Sequence, residues 1–170
     1  MNGVEGRGCG GGAEDADADG EVRGRQFETE ANGRSRENTS GRAIVSDVAG
    51  RRLDCWGTGY GTGGTMTGTS RVLRKARPET RIVLVEPDNA QIVGSGQPQE
   101  RIESGQAAGS HPGWESHAIQ GWTPDFIPLV LQESIDQKYY DELVPIEGAE
   151  GMKWSRELAQ REGIFTGISG

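Results

Sequence analysis

One glycine-rich loop constrains the fold of this chain more than any other stretch of its sequence. It runs Gly57-Thr58-Gly59-Tyr60-Gly61-Thr62-Gly63-Gly64-Thr65, after a short apolar approach at 53–56 and before a segment at 66–76 that we predict to be helical. Glycine lets the backbone turn sharply and approach a ligand closely, and the first turn of a helix presents unpaired N–H groups. The threonines add hydroxyl donors. This pattern predicts a phosphate-binding loop at a helix N-terminus.

The segments that follow the loop predict a strand–helix–strand unit. Ile82-Val83-Leu84-Val85 is an apolar run without alternation, which is typical of a strand buried on both faces of a parallel sheet. Another strand is expected at 142–146, where Pro145 indicates a sheet edge or a strand end. A helix over 148–162 should end at Gly163. We therefore predict an α/β domain with a parallel sheet.

The remaining segments carry weaker structural predictions. A short helix is expected at 43–48, whereas 26–38 is polar and is predicted to be irregular. The stretch 88–116 is polar, rich in glycine and proline, and longer than a compact loop. An ordered loop should follow at 117–128, and the chain is predicted to finish on a strand and a Gly-Ile-Ser-Gly turn.

Composition limits where a core can form and which partners the chain can bind. Only 32% of the residues are apolar, so the core is expected in part of the chain. Residues 1–24 are rich in glycine and acids, and we predict that this leader is disordered. The formal net charge of -8 argues against nucleic acid or an anionic membrane as partner. The basic residues between Arg71 and Arg81 are interpreted as a solvated outer face.

Membrane, disulfide and metal patterns are not found in the sequence. No apolar run approaches the roughly 20 residues of a membrane helix, and the N-terminus lacks the apolar centre of a signal peptide. We expect a soluble cytoplasmic protein, with an organellar location left open. Cys9 and Cys55 are far apart and predict neither a disulfide framework nor a zinc site. His111 and His117 have no further ligand at metal spacing, so no metal site is expected.

The glycines also fit a second class of ligand. The pattern Gly59-x-Gly61-x-x-Gly64 matches the dinucleotide fingerprint, and Glu86 follows at the end of the next predicted strand, where a ribose-binding acid belongs. On this hypothesis the chain is an NAD-binding Rossmann domain of an oxidoreductase. The threonines of the loop are not required by that fingerprint, and a proline follows the acid directly.

Four motifs in a fixed order give a more specific identification. They are Gly61-Thr62-Gly63-Gly64-Thr65, Val85-Glu86-Pro87, the stretch Ile119-Gln120-Gly121-Trp122-Thr123-Pro124-Asp125-Phe126-Ile127-Pro128, and the terminal Glu162-Gly163-Ile164-Phe165-Thr166-Gly167-Ile168-Ser169-Gly170. In order and approximate spacing they resemble cysteine synthase, the O-acetylserine sulfhydrylase family of fold-type II pyridoxal-phosphate enzymes. The segment 26–32 also looks like the family's entry into this domain.

The resemblance extends over residues 25–170 and implies a particular architecture. It implies a partial three-layer αβα parallel-sheet domain of the tryptophan synthase β-like type, corresponding to the C-terminal half of cysteine synthase. The reaction it implies is β-replacement, in which acetate leaves O-acetylserine and sulfide attacks to give L-cysteine. The complete enzyme is expected to be a homodimer that takes a small amino-acid substrate.

The resemblance also implies pyridoxal 5'-phosphate as cofactor and assigns residues to it. The family's phosphate cup matches Gly61, Thr62, Gly63, Gly64 and Thr65. Gly121 matches a backbone segment that lines the cofactor and substrate cleft, and Ser169 matches the serine that hydrogen-bonds the pyridine nitrogen. A neutral hydroxyl at that nitrogen weakens the electron sink and suits elimination of a good leaving group.

The family's Schiff-base lysine has no counterpart in this sequence. The family carries it in a Ser-Val-Lys-Asp-type motif, whereas this chain has only Lys75, Lys138 and Lys153, each on a predicted helix or in polar surroundings. Since that lysine both captures the cofactor and moves protons, we assign no catalytic residue and expect an incomplete, inactive fragment. Two alternatives stay open: a non-catalytic relative that binds a phosphorylated ligand or a partner, and the NAD-binding domain.

Overall fold

The computed structural model describes residues 15–16 and 22–170, with side chains from 24 onward. Asp15–Ala16 (β1) and Val22–Arg23 (β2) form a short antiparallel ladder. The other residues of the leader that we predict to be disordered, 1–14 and 17–21, lie outside the described part of the chain.

Helices and three longer strands make up the body of the structure. The helices are Glu30–Arg36 (α1), Arg42–Asp47 (α2), Gly64–Ala76 (α3), Leu129–Asp136 (α4) and Gly148–Glu162 (α5). The strands are Cys55–Gly59 (β3), Arg81–Pro87 (β4) and Glu142–Ile146 (β5). A π-helical turn, Glu37–Gly41, joins α1 to α2.

The three longer strands form a parallel sheet of order β3-β4-β5. Gly59 pairs with Val85, and Pro87 pairs with Ile146. The carboxyl ends of all three strands therefore meet at one edge of the sheet. In parallel α/β sheets this is the edge where ligands bind. The predicted parallel α/β domain is confirmed, and the glycine-rich loop leaves from this edge.

Several element predictions are confirmed, with shifts at the boundaries. The approach strand lies at Cys55–Gly59, later than the apolar run at 53–56, and α3 begins at Gly64. Strand β5 lies at an edge of the described sheet, as Pro145 indicates. Helix α5 ends at Gly163 in the left-handed conformation that the sequence predicts for a glycine there.

The prediction that residues 26–38 are irregular is wrong. Thr29 caps α1, since its hydroxyl accepts from the Ala31 amide at 3.3 Å. The helix packs on α3 through glycine rather than through apolar side chains. A β-carbon added at Gly68 would lie 2.3 Å from the Gly33 carbonyl oxygen. Close backbone packing of this kind leaves no apolar periodicity from which to predict a helix.

The structure also contains a helix that the sequence does not predict and lacks a strand that it does predict. The unpredicted helix is α4, which follows two prolines and has only a short apolar run; it places Val130 and Leu131 in the buried core. The strand predicted near the end of the chain does not form. Residues 163–167 adopt neither helix nor strand, and a turn follows at 168–169.

The core lies where α3, α4 and the sheet meet. Its fully buried side chains include Met66, Leu73, Ile82, Leu84 and Leu131. Within β4, Ile82 and Leu84 are buried, whereas Val83 and Val85 are only half-buried. The predicted burial on both faces of this strand is therefore complete on one face and partial on the other, in the described part of the chain.

The interpretation of the basic residues between Arg71 and Arg81 as a solvated face is correct for Lys75 and Arg81, which are exposed, and wrong for Arg71 and Arg74. Arg71 has a side chain only 15% exposed and forms ion pairs with Glu133 and Glu37. Its Nε donates to Glu133 Oε1 at 2.8 Å. Arg74 donates to the Tyr139 carbonyl at 2.8 Å. These bonds tie α3 to the π-helical turn, to α4 and to the segment before β5.

The Arg71–Glu133 pair predicts a pH-dependent stability. Its hydrogen bond holds the pKa of the Glu133 carboxyl below its usual 4.5. A carboxyl whose pKa is lowered by folding stabilises the fold above its unfolded pKa, and this contribution is lost as the pH falls through the folded pKa. We expect Glu133→Gln to lower the free energy of unfolding by about 1 kcal/mol near neutral pH, measured by urea denaturation.

Urea denaturation repeated at several pH values decides whether the Arg71–Glu133 pair causes the expected difference in the free energy of unfolding. The stability difference between Glu133→Gln and the unchanged chain should shrink as the pH falls below 4.5. Glu79→Gln is the matched control, because Glu79 is exposed. A difference that stays constant into strongly acidic solution would contradict the assignment.

Candidate phosphate-binding site

The phosphate loop, defined here as residues 61–64, turns sharply from β3 into α3. Gly63 caps the helix with φ of +86°, a conformation that favours glycine. A β-carbon added at Gly63 would lie 2.6 Å from Leu131 Cβ. Backbone conformation and lack of space therefore both require glycine at this position, and α4 closes one side of the loop.

The first turn of α3 leaves N–H groups available to a ligand. The Thr67 amide is the first to bond within the helix, at 2.9 Å from the carbonyl of the capping glycine. The Gly64 amide donates to Thr62 Oγ1 at 3.2 Å. The amides of Thr65 and Met66 have no acceptor among the described residues. Thr65 is exposed whereas Met66 is fully buried, so the part of the first turn that a ligand can reach lies at Thr65. Together with the positive end of the helix dipole, the Thr65 amide suits a phosphate group.

Asn32 supports the loop from outside. Its Nδ2 donates to Thr62 Oγ1 at 2.9 Å and to the Gln26 carbonyl at 2.7 Å. Because the Thr62 oxygen already accepts two N–H groups, its own proton is available for a ligand. A β-carbon at Gly64 would lie 2.1 Å from Asn32 Oδ1. Sequence reasoning missed Asn32 as a site residue because it missed the helix that carries it.

Gly121 and Trp122 lie against the start of the loop. Gly121 has φ of +87°, and its carbonyl oxygen lies 2.4 Å from the position of a β-carbon on Gly61. The Trp122 ring is equally close to Gly59, at 2.2 Å from a β-carbon built there. The structure thus brings Gly121, on a distant segment of the chain, into direct contact with the phosphate loop.

Thr65 and Ser169 are both exposed, but they lie on different elements. Thr65 belongs to the first turn of α3, beside the available amides. Ser169 lies in the turn near the end of the chain, which is tied to α5 by a 2.9 Å hydrogen bond from Ser155 Oγ to the Thr166 carbonyl. The Ser169 hydroxyl is exposed and is not hydrogen-bonded to the phosphate loop, and its role at the pyridine nitrogen stays a prediction.

The three lysines lie in segments other than the phosphate loop. Lys75 is in the last turn of α3, roughly 15 Å along the helix from its first turn, and pairs with Glu37 at 3.7 Å. Lys153 pairs with Glu150 at 3.1 Å on α5. Lys138 follows α4 with φ of +52°. None of these three lysines, all of which lie in the described part of the chain, is bonded to a residue of the phosphate loop.

Glu86 is fully buried at the carboxyl end of β4, and both of its oxygens have donors. Oε2 accepts from the Tyr60 hydroxyl at 2.7 Å and the Val93 amide at 3.1 Å, and Oε1 accepts from the Gly94 amide at 2.8 Å. Burial raises the pKa of Glu86 even though these donors oppose the shift. A buried carboxylate with three protein donors is not available to a ribose hydroxyl, which removes the main support for the NAD-binding alternative.

The histidines and the cysteine serve no visible metal site. His111 and His117 each place Nε2 within hydrogen-bond distance of a backbone carbonyl. Among the described residues, no group of three or more acidic, histidine or cysteine side chains is arranged to hold a metal ion. Cys55 is a free, exposed thiol, and Cys9 lies outside the described residues. Within the described part of the chain, no helix has the length and apolar character needed to cross a membrane.

The contact between Gly61 and Gly121 predicts the effect of one added methyl group. Gly61→Ala would drive its β-carbon into the Gly121 carbonyl and should displace the loop, which lowers the melting temperature by several degrees. Gly57→Ala is the matched control, because the nearest atoms lie 3.7 Å from its β-carbon position. Calorimetry should show a large loss for Gly61→Ala and little change for Gly57→Ala. Equal losses would contradict the close approach.

Comparison with known proteins places this chain in a family. The profile of the family described as pyridoxal-phosphate dependent enzyme matches residues 12–170. O-ureido-L-serine synthase from Streptomyces lavendulae is 41% identical over 147 residues, covering 86% of this chain and 39% of the relative. Cysteine synthase from Staphylococcus aureus strain N315 is 33% identical over 144 residues, covering 85% of this chain and 40% of the relative. The chain spans about two fifths of the length of these relatives.

Solved structures agree with the sequence relatives. The crystal structure of O-ureido-L-serine synthase matches with a TM-score of 0.71 at 41% identity, covering 85% of this chain and 40% of that chain. A hydrogen sulfide-producing enzyme from Fusobacterium nucleatum matches with a TM-score of 0.67 at 26% identity, covering 85% of this chain and 42% of that chain. The Thr65 amide at the start of α3 and the Thr62 hydroxyl fit the phosphate of the cofactor for which this family is named. The chain belongs to the family of pyridoxal-phosphate dependent enzymes.

Proposed function

We propose that this chain is the phosphate-binding part of an enzyme that performs β-replacement on an O-activated L-serine with pyridoxal 5'-phosphate. The observation that carries the proposal is the unpaired amide of the exposed Thr65 in the first turn of α3, together with the available proton of Thr62. The names of the relatives support the reaction class. Cysteine and O-ureido-L-serine are both L-serine derivatives with a different substituent at the β-carbon.

The residues proposed to hold the cofactor belong to three segments. The phosphate is assigned to Gly61, Thr62, Gly63, Gly64 and Thr65 at the start of α3. Gly121, which lies against this loop, is proposed to line the cleft. The exposed Ser169 is proposed to donate its hydroxyl proton to the pyridine nitrogen, since this hydroxyl has no hydrogen-bond partner among the described residues.

The proposed role of these residues is to bind and orient the cofactor rather than to transfer protons. When bound, pyridoxal phosphate withdraws electrons from the α-carbon of an amino acid, which allows a group on the β-carbon to leave. The N-terminus of α3 would fix one end of the cofactor through its phosphate. At the other end, the neutral Ser169 hydroxyl would leave the ring nitrogen largely unprotonated and so weaken electron withdrawal. Such a ring suits a good leaving group such as acetate.

Two products fit the same reaction class. With sulfide as nucleophile the product is L-cysteine, as the cysteine synthase motifs imply. With the hydroxyl oxygen of hydroxyurea as nucleophile the product is O-ureido-L-serine, and the 41% identity to a synthase of that name supports this candidate. The two candidates share the serine-derived substrate and the leaving group, so they differ only in the nucleophile that the complete site admits.

We further propose that these 170 residues do not catalyse the reaction by themselves. The family's lysine supplies both the covalent link to the cofactor and the proton-transfer base. The lysines here are held in ion pairs or lie on other elements, away from the phosphate loop. The complete enzyme is proposed to be a cytoplasmic homodimer that takes a small amino acid, with neither nucleic acid nor membrane as partner.

Binding of the cofactor by the phosphate loop is the first test of this proposal. We expect pyridoxal 5'-phosphate to change the fluorescence of Trp122, which lies against Gly59. Inorganic phosphate should compete, and pyridoxal, which lacks the phosphate, should bind far more weakly. Thr62→Val removes the hydroxyl that faces the ligand and should weaken binding roughly tenfold.

A second threonine provides the control for this titration. The Thr58 hydroxyl donates to the Gly59 carbonyl at 2.9 Å and lies before the phosphate loop. Thr58→Val should therefore leave the affinity unchanged. Equal binding of pyridoxal and pyridoxal 5'-phosphate would contradict the assignment of the loop, as would an unchanged affinity in Thr62→Val.

The proposed lack of activity has its own test. The chain is incubated with pyridoxal 5'-phosphate, O-acetylserine and either sulfide or hydroxyurea, and products are measured by mass spectrometry. We expect neither L-cysteine nor O-ureido-L-serine above the level of a reaction without protein. Turnover that depends on the chain would show that another group replaces the lysine.

A further inference from the structure

A buried tyrosine–carboxylate pair lies directly before the phosphate loop. Tyr60 is 1% exposed and Glu86 is fully buried. The tyrosine hydroxyl donates to Glu86 Oε2 at 2.7 Å, so the residue directly before the phosphate loop is bonded to the carboxyl end of β4. The ring also belongs to the main apolar core. Tyr60 is therefore fixed both by packing and by a hydrogen bond to a buried charge.

The backbone of Tyr60 makes a second connection across the site. Its carbonyl accepts the Thr123 amide at 2.6 Å. Thr123 has φ of +35°, which is uncommon for a β-branched residue. Its carbonyl in turn lies 3.0 Å from both Trp114 Nε1 and His117 Nε2. Strained backbone persists where surrounding bonds hold it in place, and it concentrates at functional sites.

We propose that Tyr60 and Glu86 are positioning residues for the phosphate loop. Their hydrogen bond holds Tyr60 in place, so that its carbonyl keeps Thr123 in its strained conformation and Gly121 in contact with Gly61. In this way the carboxyl end of β4 determines the position of the phosphate loop relative to the segment that carries Gly121 and Thr123. The inference rests on the proposed function for the identity of the ligand. The connection between the phosphate loop and the segment around Thr123 does not depend on the ligand and is expected in the chain alone.

The chemistry of Tyr60 and Glu86 favours a role in positioning the phosphate loop over a role only in filling the core. A buried carboxylate is costly even when it is hydrogen-bonded, and apolar side chains of similar volume could fill the same space without that cost. Glu86 accepts from the side chain of Tyr60 and from the Val93 and Gly94 amides. One group thus joins the end of β4, the segment after it and the residue before the phosphate loop. Directional bonds fix relative positions in a way that apolar contact does not.

Tyr60→Phe tests the inference because it removes the hydroxyl and keeps the ring in the core. Tyr139→Phe is the matched control, since it also removes a hydroxyl that donates to a glutamate, Glu133 Oε1 at 3.1 Å, away from the loop. The first measurement is hydrogen exchange of the free chain, which needs no ligand. We expect at least threefold faster exchange of the Thr67 and Thr123 amides in Tyr60→Phe.

The pattern of exchange separates positioning from general stability. In Tyr60→Phe, peptides from α5 and β5 should exchange as in the unchanged chain, while in Tyr139→Phe the affected peptides should be those around α4. Glu86→Gln, which removes the charge from the other side of the bond, should accelerate the same peptides as Tyr60→Phe. Uniform acceleration across the chain, or no change at Thr123, would overturn the inference.

A titration with pyridoxal 5'-phosphate then connects the pair to ligand binding. Tyr60→Phe should bind about tenfold more weakly than the unchanged chain, and Tyr139→Phe should bind equally well. Binding by the unchanged chain with no loss in Tyr60→Phe would overturn the inference alone. Failure of the unchanged chain to bind would contradict the proposed function, and hydrogen exchange would still decide whether Tyr60 positions the loop.

Discussion

The unpaired N–H groups in the first turn of α3 are the feature on which the site depends. An amide without an acceptor is costly inside a protein, and the Thr65 amide reduces this cost because Thr65 is exposed to a ligand or to solvent. Gly63 produces the turn that exposes it, and the hydrogen bond from Asn32 to Thr62 holds the loop that precedes it. The candidate site therefore presents backbone N–H groups and a neutral hydroxyl to a ligand, rather than charged side chains.

Close packing around glycines keeps this site in place. Helix α1 approaches α3 where Gly33 faces Gly68, and this contact brings Asn32 to the first turn of α3. Leu131 of α4 fills the space beside Gly63. Farther along α3, the ion pair between Arg71 and Glu133 joins the same helices. Contacts along the length of α3 thus hold its N-terminus in a fixed relation to the sheet.

The sequence was sufficient to predict the loop, the helix after it and the parallel strand at β4, because glycine spacing and an unbroken apolar run are local patterns. It was not sufficient for Asn32, whose role depends on a helix packed through Gly33 rather than through an apolar stripe. The roles of Arg71 and Glu86 also could not be predicted. Their partners lie far along the chain, and only the folded structure shows that a basic side chain is buried or that an acid is already bonded.

The most direct test of the account is to observe the amides of α3 while the ligand binds. In an isotope-labelled sample titrated with pyridoxal 5'-phosphate, the amide resonances of Thr65 and Met66 should shift and saturate together with the phosphorus resonance of the ligand. The contradicting result would be unshifted resonances at these two residues, with the changes located instead at the groove lined by Arg71, Arg74 and Lys75.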